Sequence, residues 1–342
     1  MERLSYFLWK VYNKIYLYIN KVGEMMQIGK KKIVVMSLFI VVMLIGTLIY
    51  NNDYFPKRQN YLFGVTYMTM NNTFYEVINN ELLKEIENRG DQLLVRDPAL
   101  DIDKQIEQIY DFIDEDVDGI FINPVDSKKV TPALKAAKKA GIPIIVMDAS
   151  IEQEQFVDCT IVSDNYDAGV QCAKDMMKRL KSANIVLLKH TNVQSAKDRI
   201  DGFLETIDGY SQYQIIDQGE CEGQLELAMP IMEDILEKNK DVDVVMALND
   251  PSALGALAAL QAYQYHHTIV YGVDGTPDIK TLIGNHSMVA GTVAQSPISI
   301  GNIASQKMYE LLRGKAIEKN IIIPVQLINE NNITKYDQTG WQ

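Results

Sequence analysis

The chain has 342 residues, 47% of them hydrophobic, with 33 basic against 45 acidic side chains and a net charge of −12, ample for one or two buried cores. Residues 1–50 hold seven Lys/Arg against two Asp/Glu, which leaves 26 against 43 in an acidic remainder. A nucleic-acid surface needs clustered Lys/Arg to neutralise phosphates, so no nucleic-acid partner is expected.

The basic segment 1–32 is expected in the cytoplasm. Leu4, Phe7, Leu8, Val11, Ile15 and Tyr18 recur at helical spacing around Arg3, Lys10 and Lys14, a pattern that suits an amphipathic helix on the inner membrane surface. The other reading is translation from Met25 or Met26, which would leave a short basic region before the next segment. That segment, 33–50, runs from Ile33 to Tyr50 without a charge. As a helix it spans about 27 Å, close to the bilayer hydrocarbon thickness. It is read as a transmembrane signal anchor, with Lys30, Lys31 and Lys32 on the cytoplasmic side and the acidic body extracytoplasmic. A cleaved signal peptide is the alternative, but Tyr50, Asn51, Asn52 and Asp53 do not form an A-x-A-like site, and no Cys is near for a lipoprotein anchor. Residues 51–60 are a polar linker containing Pro56.

From there the chain alternates strand and helix signals. Strand 61–68 precedes helix 74–89 with Thr73 as N-cap; strand 92–95, helix 101–116, strand 119–122, helix 128–140 and strand 143–147 follow. After 160–162 come helix 166–181, strand 184–189, helix 195–207, strand 213–216 and helix 223–239. Segment 242–263 then pairs a β-branched apolar strand, 242–248, with helix 252–262, for which Asp250 suits the N-cap and Pro251 the first helical position. Strands 268–273 and 288–294, helix 297–313 and a strand near 325–328 complete the series. Repeated βαβ units mean parallel sheets with right-handed crossovers and helices on both faces. About 280 residues are too many for one such sheet, so two lobes are expected.

Ligands in open α/β sheets bind at the carboxyl ends of the strands. There the chain places Asn71, Asn72, Thr73, Phe74 and Tyr75, then Asn123 and Asp126, then Asp148, the loop before Arg199, Asn249, Asp274 and Gln295. Each alone could be a helix cap or turn residue. As a set they offer carboxylates and amide oxygens to accept from hydroxyls, and an arginine and amide nitrogens to donate, which suits a neutral polyol. Phe74 or Tyr75 could lie against the C–H face of a sugar ring, or pack in the core.

At these residues the sequence resembles the type I periplasmic sugar-binding proteins, the ribose-binding group in particular. The resemblance is carried by Asn71-Asn72-Thr73-Phe74-Tyr75, Ile122-Asn123-Pro124-Val125-Asp126, Ser163-Asp164-Asn165, Arg199-Ile200-Asp201-Gly202-Phe203, Asn249-Asp250 with Ala253-Leu254-Gly255-Ala256-Leu257, Asp274-Gly275-Thr276-Pro277-Asp278 and Ala294-Gln295, in the family's order from about Tyr61 onward. It implies two doubly wound parallel-sheet α/β lobes joined by three hinge strands, 61–162 with about 296–324 and 163–295 with about 325–342, preceded here by the transmembrane helix. It further implies ligand contacts at Asn72, Phe74, Tyr75, Asn123, Asp148, Arg199, Asn249, Asp274 and Gln295, with closure on the ligand. Two departures stand out: Ala149 follows Asp148 where ribose binders carry an arginine, and Glu222-Gly223-Gln224 stands where they carry a further aromatic. A larger or differently substituted sugar, or a cyclitol, is the expected ligand.

Catalysis has little support. His190, His266, His267 and His286 sit in no nucleophile or metal-binding spacing, so no metal and no cofactor is expected. Asp148 and Asp274 could be read as a glycosidase acid/base pair, but the surrounding amides describe recognition. Cys159, Cys172 and Cys221 are expected as buried free thiols. Two functions remain: a solute-binding protein delivering sugar to an ABC permease, or a tethered sensor signalling to a membrane histidine kinase. A lac-repressor-like regulator is disfavoured because residues 1–60 hold a membrane span where a DNA-binding segment would lie.

Overall fold

The computed structural model describes residues 60–342 apart from 240, 286 and 287, together with helix Ile28–Ile49 and five positions between 13 and 20. Two compact units divide at Asn60. In the first, helix Ile28–Ile49 begins with Lys30–Lys32 and continues through the uncharged run. Its described side chains, 34–44, 46 and 47, are exposed almost throughout. Among the described residues no helix is long and apolar enough to cross a membrane, and Tyr50, the last residue of the expected span, lies outside them. The span therefore rests on the sequence run. Nearly all of the expected amphipathic segment, and of the linker 51–60, also lies outside the described residues.

The second unit carries two six-stranded sheets. β1 (Leu62–Thr66), β2 (Gln92–Arg96), β3 (Gly119–Ile122), β4 (Ile144–Met147), β5 (Cys159–Ser163) and β11 (Asn320–Ile323) form the first, in the order β11-β5-β4-β3-β1-β2 and parallel throughout. β6 (Ala183–Lys189), β7 (Tyr213–Glu220), β8 (Val244–Ala247), β9 (Ile269–Asp274), β10 (Val289–Ala294) and β12 (Gln326–Asn329) form the second, ordered β12-β10-β9-β8-β6-β7. Only the edge strand β12 runs antiparallel. The chain passes between sheets three times, after β5, β10 and β11. In both sheets the first strand in sequence, β1 or β6, lies between its two successors, so strand order reverses there and a crevice opens at the carboxyl ends.

Central strands β3, β4, β8 and β10 are buried at every position, as apolar β-branched runs covered on both faces should be. Two short elements escape the sequence reading: helix Pro277–Gly284, begun by a Thr276 cap, and β11. Two caps also differ. Asn72, not Thr73, caps helix Thr73–Glu87 by accepting from the Phe74 N–H at 2.9 Å. Asn249, not Asp250, caps helix Asp250–Ala262 by accepting from the Ser252 N–H at 3.0 Å. Asp250 instead turns into the lobe, accepting from the Thr276 N–H at 2.8 Å and the Thr292 hydroxyl at 2.7 Å. All three cysteines are buried and free.

Helices Asn165–Arg179 and Gln194–Ile207 meet backbone to backbone. A Cβ on Gly169 would fall 1.9 Å from the Arg199 carbonyl oxygen, and one on Gly202 would fall 2.1 Å from that of Tyr166. Neither neighbour can move as a flexible side chain could. Gly169→Ala should therefore push the helices apart, lowering stability by about 1–3 kcal/mol and weakening ligand binding with it. Thermal unfolding and ligand titration of the variant check both; an unchanged midpoint would contradict this packing.

Candidate functional site

The carboxyl ends of β1 and β4 in one sheet and β6, β7, β8, β9 and β10 in the other bound a cleft of about 420 Å³ empty volume, mouth included. Eight of the nine expected residues line it: Asn72, Phe74, Tyr75, Asp148, Arg199, Asn249, Asp274 and Gln295. Asn123 does not. It sits fully buried behind the wall, accepting from the Met68 N–H at 3.0 Å and donating Nδ2 to Asp148 Oδ2 at 3.2 Å. Its side chain holds the aspartate in place.

Each contact has a local cause. Asn72 and Phe74 are brought in by the first turn of the helix after β1. The Phe74 ring is wedged at 5.6 Å from Tyr75 and 5.7 Å from Trp341 of the C-terminal segment. That segment is tied down by the buried Lys280, whose ammonium donates to the Asp337 and Gly340 carbonyls. The Tyr75 hydroxyl reaches Asp148 Oδ2 at 3.3 Å. Asp148 and Asp274 both adopt positive φ, 66° and 141°, a costly conformation for non-glycine residues that tends to collect at functional sites.

Arg199 donates Nε to Asn165 Oδ1 at 2.8 Å and Nη1 to the Leu248 carbonyl at 2.9 Å, and Nη1 lies 3.8 Å from Asp274 Oδ1. Gln295 Nε2 donates to the same Asp274 oxygen at 2.7 Å. Asn249, besides capping its helix, donates Nδ2 to the Gly223 carbonyl at 3.0 Å. Across the mouth, Asn71 Nδ2 donates to Gln224 Oε1 at 3.3 Å and Glu226 Oε1 at 2.9 Å, joining the two lobes.

The sequence reading passed over His190, Ser195 and Met68, which also line the cleft. His190 directly follows β6, so the strand-end rule applied there would have found it. Met68 and Ser195 carry no comparable signal. Burial pushes the His190 imidazole below its ordinary value despite Glu222, Glu220 and Asp126 nearby, so at neutral pH it adds no charge.

Three buried oxygens of the lining have no hydrogen-bond partner among the described residues: Asp148 Oδ1, Asp274 Oδ2 and Gln295 Oε1. Native proteins satisfy nearly all buried polar atoms, so such a group asks for a ligand. Burial raises the Asp148 carboxyl, with Arg199, Tyr75 and Asn123 pulling against it. Asp274 is raised well above its ordinary 3.8, first by burial and then by the neighbouring Asp250, against the pull of Arg199. A carboxyl raised in the folded state holds its proton longer there than in the unfolded chain, so its contribution falls as pH rises from about 4 through the folded value. Asp274→Asn removes that loss. The variant, without added sugar, should melt above wild type at pH 7–8, with the gap closing as pH falls toward 4; a gap that is constant or reversed across this range would contradict the assignment.

A family model described as a periplasmic binding protein domain matches residues 63–316. The ribose import binding protein RbsB of Bacillus subtilis (strain 168) is 30% identical over 79% of this chain and 88% of its own length. RbsB of Escherichia coli (strain K12) is 28% identical over 76% and 88%. Among solved structures, an ABC transporter solute-binding protein from Bacillus halodurans C-125 with bound myo-inositol shares the fold at a TM-score of 0.77, with 24% identity over 82% of this chain and 98% of that one. With two parallel-sheet lobes, a polar cleft at their carboxyl edges and these matches, the chain belongs to the type I periplasmic sugar-binding protein family.

Proposed function

We propose that the chain is an extracytoplasmic solute-binding protein that captures a sugar or related polyol between its lobes and delivers it to an ABC-type permease. The observation that carries this reading is the convergence of Asp148, Arg199, Asn249, Asp274 and Gln295 on one cleft, with three of their oxygens buried and unpartnered. Carboxylates and an amide oxygen accept from ring hydroxyls while the guanidinium donates, and Phe74 and Tyr75 offer apolar faces to the ring. The ribose import role of the RbsB relatives points the same way.

The lobe boundaries we take are 61–162 with about 296–324, and 163–295 with about 325–342. Bound ligand draws these together by rotation about the three crossings. Asn123 acts behind Asp148 rather than on the ligand. Ala149 beside Asp148, and Gly223 and Gln224 in the lining, supply neither a second guanidinium nor a further aromatic wall, which supports a larger or differently substituted sugar or a cyclitol. A membrane anchor through residues 33–50 belongs to the same reading. It is supported by eighteen uncharged residues behind three lysines and by exposed apolar side chains along helix Ile28–Ile49, for which lipid is the natural solvent.

A thermal-shift screen of pentoses, hexoses and cyclitols tests capture, because a ligand that binds only the folded state raises its midpoint, by about 2.7 kcal/mol of stability at a hundredfold excess over Kd. At least one neutral or substituted polyol should do so, and Arg199→Ala should lose the shift. Deletion of the gene should also reduce uptake of the identified sugar; undiminished uptake would count against delivery.

A further inference from the structure

The lining carries an unequal set of charges. Asp148 and Asp274 are each 3% exposed, and Arg199 is the only Lys or Arg among the residues that line the cleft. Glu222 adds a carboxylate at the mouth, where it is exposed and solvent weakens its effect. Arg199 is already engaged with Asn165 and the Leu248 carbonyl; among carboxylates it lies 3.8 Å from the Asp274 oxygen that Gln295 also serves, and its field reaches Asp148 without a hydrogen bond to it. The hydrogen-bond partners of Asp148 Oδ2 are neutral, the Tyr75 hydroxyl and the Asn123 amide. Behind Asp274 lies a third buried carboxylate, Asp250, which accepts from Thr276 and Thr292. Lys280 adds a positive field from farther back, with its ammonium committed to backbone carbonyls. The position after Asp148 is Ala149, fully buried, so no second guanidinium enters from there.

A buried charge without a counter-charge is costly, and it is relieved by uptake of a proton or by arrival of a cation. Burial is the first cause that raises both carboxyls, and at Asp274 the neighbouring Asp250 and Asp148 add to it. A neutral polyol can donate hydroxyl hydrogens to Asp148 Oδ1 and Asp274 Oδ2, the two carboxylate oxygens without a partner, yet leaves the net charge in place. A protonated amine would satisfy such an oxygen and cancel charge together, through charge-assisted hydrogen bonds about twice as strong as neutral ones.

We infer that the ligand of this cleft carries a protonated amine on its polyol frame, as an amino sugar or an amino cyclitol does, and that the buried carboxylates of Asp148 and Asp274 receive it. The inference rests on the capture reading and narrows it to a chemical class.

Calorimetry at pH 7 on matched pairs tests it: D-glucosamine with D-glucose, D-galactosamine with D-galactose, and an amino-deoxy-inositol with myo-inositol. N-acetyl-D-glucosamine serves as a control of similar frame without the charge. In at least one pair the amine should bind about tenfold tighter or more, equivalent to about 1.4 kcal/mol, and the N-acetyl control should gain nothing over glucose. In Asp148→Asn or Asp274→Asn that preference should fall toward one. Circular dichroism of each variant confirms that it is folded before its titration is read. If the neutral member binds as well as or better than the amine in every pair that binds, or if the preference survives in both variants, the amine assignment is overturned while sugar capture stands. If neither member of any pair binds, the amine assignment is overturned, and sugar capture is decided separately by the wider screen of pentoses, hexoses and cyclitols.

Discussion

The cleft depends on how one guanidinium is held. Arg199 lies 4% exposed at the crossing of three elements. Its Nε is fixed by Asn165 at the start of one helix, its Nη1 by the carbonyl after β8, and its own backbone by the close meeting of Gly169 and Gly202 with the facing helix. Lost rotamer freedom normally subtracts from binding. Here the fold has already removed it: the guanidinium is held in position by protein neighbours alone, as a preorganised group is. The same logic holds on the other lobe, where Asn123 and Tyr75 brace Asp148.

Much of this was legible in the sequence, for a physical reason. Strands such as β3 and β8 are short apolar runs covered on both faces, and their carboxyl ends mark the binding edge whatever side chains follow. That rule alone assembles Asp148, Arg199, Asn249, Asp274 and Gln295. What sequence could not separate was the work of adjacent residues of like chemistry. Asn72 and Thr73, or Asn249 and Asp250, can each cap a helix, and the choice is made by where the strand releases the chain. Asp250 reveals its role only through Thr276 and Thr292, 26 and 42 residues away in sequence. Asn123 reads as a ligand contact from its position, while its role on the Met68 N–H and Asp148 is visible only once β1, β3 and β4 lie side by side. β11 was missed because four residues, with an asparagine at the start and Pro324 just beyond, look like a turn until they pair with β5.

Asn249 and Asp250 also show how a sheet edge divides its tasks. The asparagine closes the helix with its oxygen and fixes the Gly223 turn with its amide nitrogen, so a cleft residue is at the same time a structural one. The aspartate, turned inward, organises the start of helix Pro277–Gly284 and places a negative charge behind Asp274. Recognition and architecture are therefore coupled, and a change to either side chain would alter both.

The bonds from Asn71 to Gln224 and Glu226 lie at the mouth and involve no lining carboxylate. They hold the two lobes in the arrangement seen here independently of the cleft's carboxylates. In a protein whose binding-competent arrangement is only partly populated, a bond that favours that arrangement raises every ligand's apparent affinity by the same factor. A latch that spares the lining carboxylates in this way would move the affinities of all ligands up or down together and leave their ranking untouched, so sensitivity and selectivity can be set by different residues.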